Sequence, residues 1–249
     1  MSATDPVSPS RNQDYRGIHL EKGNKYDSNL AGWPFDNYMA VWERHHLLQI
    51  VRSLTPQPPR YLDFACGTGR ITEVVAPLAS ESIGVDISPT MLDEARRKCP
   101  QTRFELVDLT TQDPELGQFD LITSFRFFGN AQQPLRESVL GALTRRLAPG
   151  GHLVINSHRN PRALYARLQR ATGGQDAGMD LHLPKLRDLL ARHGLRIVAL
   201  KPIGAWMFRD RLMISTPPDS ARARRFESLF GAAWLAPVSP DVIVVASRH

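Results

Sequence analysis

The stretch YLDFACGTGRIT, residues 61–72, places an acid inside an apolar run, then two glycines one residue apart, then the start of a helical pattern. Such a turn between strand and helix suits close approach of a ligand to backbone, because Gly67 and Gly69 put no Cβ in the way. A dinucleotide site needs a third glycine for close packing of helix on sheet beside a pyrophosphate, and Gly69 is followed here by Arg70, Ile71 and Thr72. A nucleoside triphosphate loop needs Gly-Lys-Ser/Thr, which the arginine after Gly69 also breaks. What remains is a set of three acids: Asp63 before the turn, Asp86 at the end of the second apolar run and Asp108 just after the third. They suit a cationic amino-acid nucleoside, with Asp86 accepting the ribose hydroxyls, Asp108 the adenine amino proton, and Asp63 beside the ligand's ammonium group.

These acids work together only if the runs that carry them are adjacent parallel strands, whose carboxyl ends form the ligand crevice. From Tyr61 onward short apolar runs alternate with helical patterns, as a parallel sheet covered on both faces requires. Strands are predicted over 61–65, 82–86, 103–107, 119–124, 152–156, 195–202 and 242–246. Helices are predicted over 70–79, from Ser88 as N-cap with Pro89 at the first helical position, over 132–147 up to Pro149-Gly150-Gly151, and from Pro184 to a C′ glycine at Gly194. Upstream, residues 36–54 form an amphipathic cap helix with Tyr38, Trp42, His45, Leu48 and Val51 or Arg52 along one face. Two segments, about 158–182 and 204–240, do not fit the alternation and follow late strands, where a substrate cover sits; a helix is expected over 220–233.

The 249 residues, 42% hydrophobic, can bury a large core. Residues 1–25 read as a disordered tail and 26–249 as a single domain. No secretory h-region and no run of about 18 apolar residues is present, so the expectation is a cytoplasmic protein without stable membrane insertion. Cys66 and Cys99 make neither a disulfide framework nor a zinc site, and no metal is expected. The net charge of +6 comes from arginines scattered along the chain, which describes a solvated basic surface and argues against a nucleic-acid partner.

The combination resembles the class I S-adenosylmethionine-dependent methyltransferases over roughly residues 36–203. YLDFACGTG is similar to their first motif with alanine at its first glycine position, GVDIS to the second and LVDL to the third. FDLITSFRFFGN is similar to the fourth, and LAPGGHLVINSH to the turn and fifth strand. The resemblance implies a Rossmann-like three-layer α/β sandwich whose seven-stranded, mostly parallel sheet has the order 3-2-1-4-5-7-6 with the last strand antiparallel. It implies S-adenosyl-L-methionine as cofactor, held by Asp63, Ala65, Cys66, Gly67 and Gly69, by Asp86, Ile87 and Met91, by Asp108 and Leu109, and by Ser124 and Phe125. Tyr26, and with it Tyr38, is expected to reach the cofactor's carboxylate. Cys66 itself reads as a small buried spacer.

Methyl transfer is an in-line displacement that depends chiefly on placing the acceptor. A hydroxyl acceptor also needs a base, and His158 in NSHRN is the first candidate, followed by His45 and His46 on the cap helix. Arg126 and Asn130 follow the fourth strand and could orient a polar acceptor. The chain lacks the N-P-P-Y or D-P-P-Y motif of adenine and glutamine methylation. The expectation is O-methylation of a small natural-product, sugar or lipid-linked metabolite. N-methylation of an amine, RNA methylation, a non-catalytic cofactor-binding role and a homodimer are left open.

Overall fold

The computed structural model describes residues 34–55, 57–171, 181–207 and 216–248. The expected tail 1–25, Tyr26, and parts of both late segments lie outside them. Seven strands form one sheet: β1 (Arg60–Phe64), β2 (Glu81–Asp86), β3 (Arg103–Leu106), β4 (Phe119–Ser124), β5 (Leu147–Ser157), β6 (Leu195–Ile203) and β7 (Asp241–Arg248). Their order is β3-β2-β1-β4-β5-β7-β6, parallel from β3 to β5, with β7 antiparallel to both neighbours. This is the sheet the sequence implies. Every strand of the parallel part therefore ends at the same edge, which brings Asp63, Asp86 and Ser124 to one side of the molecule.

The period of two in the strands feeds two cores. On β7, Val242, Val244 and Ala246 enter one cluster while Ile243 and Val245 enter the other. On β1 the same alternation sends Leu62 and Phe64 one way and Tyr61 the other. The first core is closed by α4 (Gln133–Arg146) and α6 (Leu183–Arg192), the second by α1 (Pro34–Leu54) and α2 (Thr72–Val75). Among the described residues the remaining α-helices are α3 (Pro89–Lys98), α5 (Leu164–Ala171) and α7 (Ala221–Phe230).

Several boundaries differ from the sequence pattern for local reasons. The helix expected over 70–79 is only α2, followed by a 3₁₀ turn at Ala76–Leu78. Pro77 has no N–H for a further helical bond and its ring crowds the carbonyl four residues back, so the helix tightens there. β5 begins at Leu147, not at His152: Leu147 pairs with Phe119, and the register breaks before His152 pairs with Leu121. A Cβ on Gly151 would stand 2.9 Å from the Phe119 carbonyl oxygen, so the Pro-Gly-Gly turn is a tight bulge within the strand. The amphipathic face of α1 is also rotated from the expected one: Tyr38, Trp42 and Val51 are buried as expected, but with Met39, Glu43, His46 and Leu47, while His45 and Arg52 are exposed.

The described residues of the second late segment, 204–240, are tied to this frame by a buried carboxylate. Ser220 caps α7, its Oγ accepting from the Ala223 N–H at 3.1 Å. On α7, Glu227 accepts from the Tyr38 hydroxyl at 2.9 Å, the Gly204 N–H at 3.0 Å and the Trp206 indole at 3.2 Å. Tyr38, a candidate for the cofactor's carboxylate, is thus fully buried in this bracket. Removing Glu227 strands three donors. Glu227→Ala is expected to destabilise the protein by about 1–3 kcal/mol in urea unfolding; an unchanged midpoint would mean that α7 is not fastened here.

Candidate functional site

After Phe64 the chain enters left-handed backbone at Ala65 (φ 53°), Gly67 (φ 54°) and Gly69 (φ 79°). The turn is closed by the Gly69 N–H donating to the Cys66 carbonyl at 3.0 Å. The two glycines serve different ends. A Cβ on Gly67 would have room, 3.5 Å from Met91 Sδ, so its backbone conformation alone favours glycine. A Cβ on Gly69 would come within 3.1 Å of Ala95 Cβ on α3. Gly69 therefore suits both the left-handed backbone of the turn and the close packing of α3, and it is not among the residues lining the crevice beside it.

That crevice holds about 960 Å³ of empty space, its open mouth included. Asp63, Asp86 and Asp108 all line it. Asp63 is 1% exposed, its Oδ1 accepting from Thr123 Oγ1 at 2.8 Å and its Oδ2 from Thr72 Oγ1 at 2.6 Å. Burial lifts its carboxyl to about 6, against the pull of the two hydroxyls and of the Arg70 guanidinium. Asp86 accepts from the Gly67 N–H at 2.8 Å and the Ser88 N–H at 2.9 Å, and burial raises it as well. Asp108 is fixed by an Asx-type turn, its Oδ1 accepting from the Thr110 N–H and hydroxyl.

Between the acids the walls are apolar, with Ile87, Met91, Val107 and Leu135 among them. Of the other residues singled out in the sequence, Ala65, Cys66, Gly67, Phe125 and Arg126 also line the crevice, whereas Leu109 and Ser124 are buried behind it. Burial pushes the Cys66 thiol well up, as befits a spacer.

The histidines lie elsewhere. His45 is exposed on the outer side of α1 and contacts Gln49 at 3.2 Å. His46 is buried against Trp42, and desolvation pushes it down to about 3. His158, 5% exposed, follows β5 with Nδ1 2.8 Å from Asp241 Oδ2 at the start of β7. Burial, then the charge of Arg126, pushes His158 down to about 3, so its imidazole is neutral at physiological pH. It does not line the crevice.

Sequence reasoning missed the partners of these groups. Arg70 lines the crevice and donates from Nη1 to Glu43 Oε2 at 2.7 Å. Glu43 is 0% exposed; burial would raise its carboxyl, but Arg70 and Arg126 hold it below its ordinary value. Arg126, in left-handed backbone at φ 59°, donates its N–H to Asn156 Oδ1 at 2.6 Å and a guanidinium N–H to Asp36 Oδ1 at 3.1 Å. Its carbonyl accepts from Asn130 Nδ2. In the sequence, the only hint of this is acids on a helix otherwise patterned for burial.

A carboxylate for an ammonium, one for ribose hydroxyls and one for an adenine amino group, with apolar walls between, fit S-adenosylmethionine in charge, polarity and order along the strands. Fold, crevice and sequence together resemble those of the class I S-adenosylmethionine-dependent methyltransferases. Residues 62–151 match a family model described as a methyltransferase domain. The chain is 37% identical over 123 residues to trans-aconitate 2-methyltransferase of Methylobacterium nodulans, covering 47% of this chain and 45% of that one. It is 22% identical over 175 residues to a ubiquinone biosynthesis O-methyltransferase of Methylococcus capsulatus, covering 64% and 69%. The chain spans about half the length of the curated trans-aconitate relatives it matches. In fold it is similar to magnesium protoporphyrin IX methyltransferase of Synechocystis PCC 6803, solved with bound S-adenosylhomocysteine, at a TM-score of 0.66 and 14% identity over 94% of this chain and 98% of that one. Among the described residues no helix is long and apolar enough to cross a membrane.

The raised carboxyl of Asp63 has a definite sign. Its folded value near 6 lies above the unfolded 3.8, so its contribution to stability is fully present below about pH 4 and lost as pH rises through 6. Asp63→Asn should remove a loss on the order of 3 kcal/mol between about pH 4 and pH 7 in the unligated protein, measured by urea unfolding at both. Equal pH dependence in variant and wild type would contradict the assignment.

Proposed function

We propose that the protein transfers a methyl group from S-adenosylmethionine to a small-molecule acceptor, most specifically to an oxygen. The observation that carries this is the convergence of Asp63, Asp86 and Asp108 on one crevice at the carboxyl edge of the sheet. When bound, the cofactor supplies an electrophilic methyl group on a sulfonium. The chain's part is to place and to exclude: Asp86 holds the ribose, Asp108 and the apolar walls hold the adenine, and Asp63 holds the ammonium. Phe125 and Phe127, with the Arg126 guanidinium, form the wall on the acceptor side. The names of the relatives, which point to trans-aconitate and to ubiquinone biosynthesis, support a small acceptor, and an oxygen atom is named for the second alone.

His158, the base the sequence suggests for a hydroxyl acceptor, is kept neutral by burial and held through Nδ1 by Asp241, but it is buried outside the crevice, so its use as base in this proposal requires the acceptor to reach past the crevice wall. The same burial favours a second reading. An imidazole held near 3 binds a proton weakly, and an amine acceptor, which attacks as the free base, needs no such base. His158→Ala separates the two: turnover should fall at least about a hundredfold for a hydroxyl acceptor, whereas full activity on an amine would establish N-methylation.

The reading as a whole is tested with labelled S-adenosylmethionine and a panel of small hydroxyl, carboxyl and amine acceptors, alongside RNA. Asp86→Ala should weaken S-adenosylhomocysteine by about 1.5–3 kcal/mol, the loss of charge-assisted hydrogen bonds, in calorimetric titration. Cofactor binding with no transfer to any acceptor would instead describe a binding protein, and transfer to RNA with a steep salt dependence would move the acceptor class.

A further inference from the structure

Two arginines line the crevice, and both are held from one helix. Asp36 and Glu43 stand seven residues apart on α1, two turns of helix, and so on one face. Asp36 engages Arg126 at 3.1 Å and Glu43 engages Arg70 at 2.7 Å. Glu43 Oε1 also accepts from Asn156 Nδ2 at 2.9 Å, and Asn156 in turn accepts the backbone N–H of Arg126. A fully buried carboxylate is expensive to desolvate and adds little stability over an apolar replacement. Its placement here calls for a role beyond fastening a helix.

We propose that Arg70 receives the carboxylate of the cofactor's amino-acid end, and that Glu43 is the positioning residue that holds the guanidinium in the crevice wall for it. This rests on the crevice being an S-adenosylmethionine site. In an α-amino acid the ammonium and the carboxylate share one carbon, so a site that offers Asp63 to the first must offer a donor to the second a few ångströms away. Arg70 follows Gly69 directly, lies on the same wall, and stands close enough to Asp63 to counter its burial. Glu43 occupies Nη1, and the guanidinium has five N–H donors in a rigid fork, enough to meet a second carboxylate in two-point contact. The Arg70 side chain keeps 23% of its surface exposed, so without Glu43 it has a path out to water and nothing among the described residues to hydrogen-bond it back.

The test uses two ligands that differ only at the amino-acid end. S-adenosylhomocysteine carries it, and 5′-deoxy-5′-methylthioadenosine has the same nucleoside and thioether without it. Both are titrated calorimetrically into the full-length wild type, Glu43→Gln, Arg70→Gln and the double variant. For each single variant the Kd of S-adenosylhomocysteine should rise about tenfold or more, while that of the thioadenosine moves less than about twofold. The double variant should be no weaker than Arg70→Gln alone, because Glu43 acts through Arg70. Equal losses for both ligands would mean a merely structural role. Additive losses would mean that Glu43 works elsewhere, and unchanged or tighter S-adenosylhomocysteine binding would overturn the proposal outright. If Glu43→Gln does not fold, Arg70→Lys, which keeps the charge but not the fork, must show the same selective loss or the proposal falls. A wild type that binds neither ligand would remove the cofactor reading itself, an outcome distinct from each of these.

Discussion

Asp63 is the interaction on which the site is built. Its carboxylate lies in the middle of the sheet at the end of β1, and it is tolerable there because a hydroxyl on each side donates to it: Thr123 from β4, itself backed by the Tyr61 hydroxyl at 2.7 Å, and Thr72 from the first turn of α2. The first strand, its neighbour and the helix after the glycine turn are thus pinned to one carboxylate. Burial still leaves the ionised form costly, and the energy missing is of the kind a ligand cation supplies. A rigid polar knot that stays incompletely compensated until a cation arrives is stable enough to form and selective in what completes it.

The rest of the fold can be understood as bringing further carboxylates to the same edge. Parallel pairing of β1 with β2 sets Asp63 opposite Gly84, so that Asp86 comes one pleat further along the edge, and pairing of β2 with β3 carries the chain on to Asp108. Gly84 allows this close order: a Cβ there would stand 2.4 Å from the Phe104 ring. On the other side of β1, the end of β4 turns through the left-handed Arg126, which Asn156 at the end of β5 holds by its amide. The helix α1 then closes over the edge and adds Asp36 and Glu43, so each of the two crevice arginines has a carboxylate partner on this helix.

What the sequence made legible was local or periodic. The seven strands and their order, the glycine turn and the three acids follow from alternation, from the residues flanking each turn and from family resemblance. Residues whose partners are distant in the chain were not legible. Glu43 meets Arg70 and Asn156, which lie 27 and 113 residues away, and Asp241 meets His158 across 83. A helix pattern scored for apolar residues puts a glutamate outside, so the face of α1 was set toward His45 when a buried ion pair turns it toward Glu43. Glycine spacing likewise does not say which neighbour needs the room at Gly69, and Ala95 on α3 is one that does.

The central claim is that this crevice selects an adenosyl amino acid over a dinucleotide. The most direct measurement is calorimetric titration of the wild-type protein with S-adenosylhomocysteine and, separately, with NAD under the same conditions at neutral pH. The account predicts saturable one-site binding of S-adenosylhomocysteine and no measurable heat of binding for NAD. Saturable binding of NAD without S-adenosylhomocysteine would contradict it, and would mean that the missing third glycine does not decide what this turn accepts.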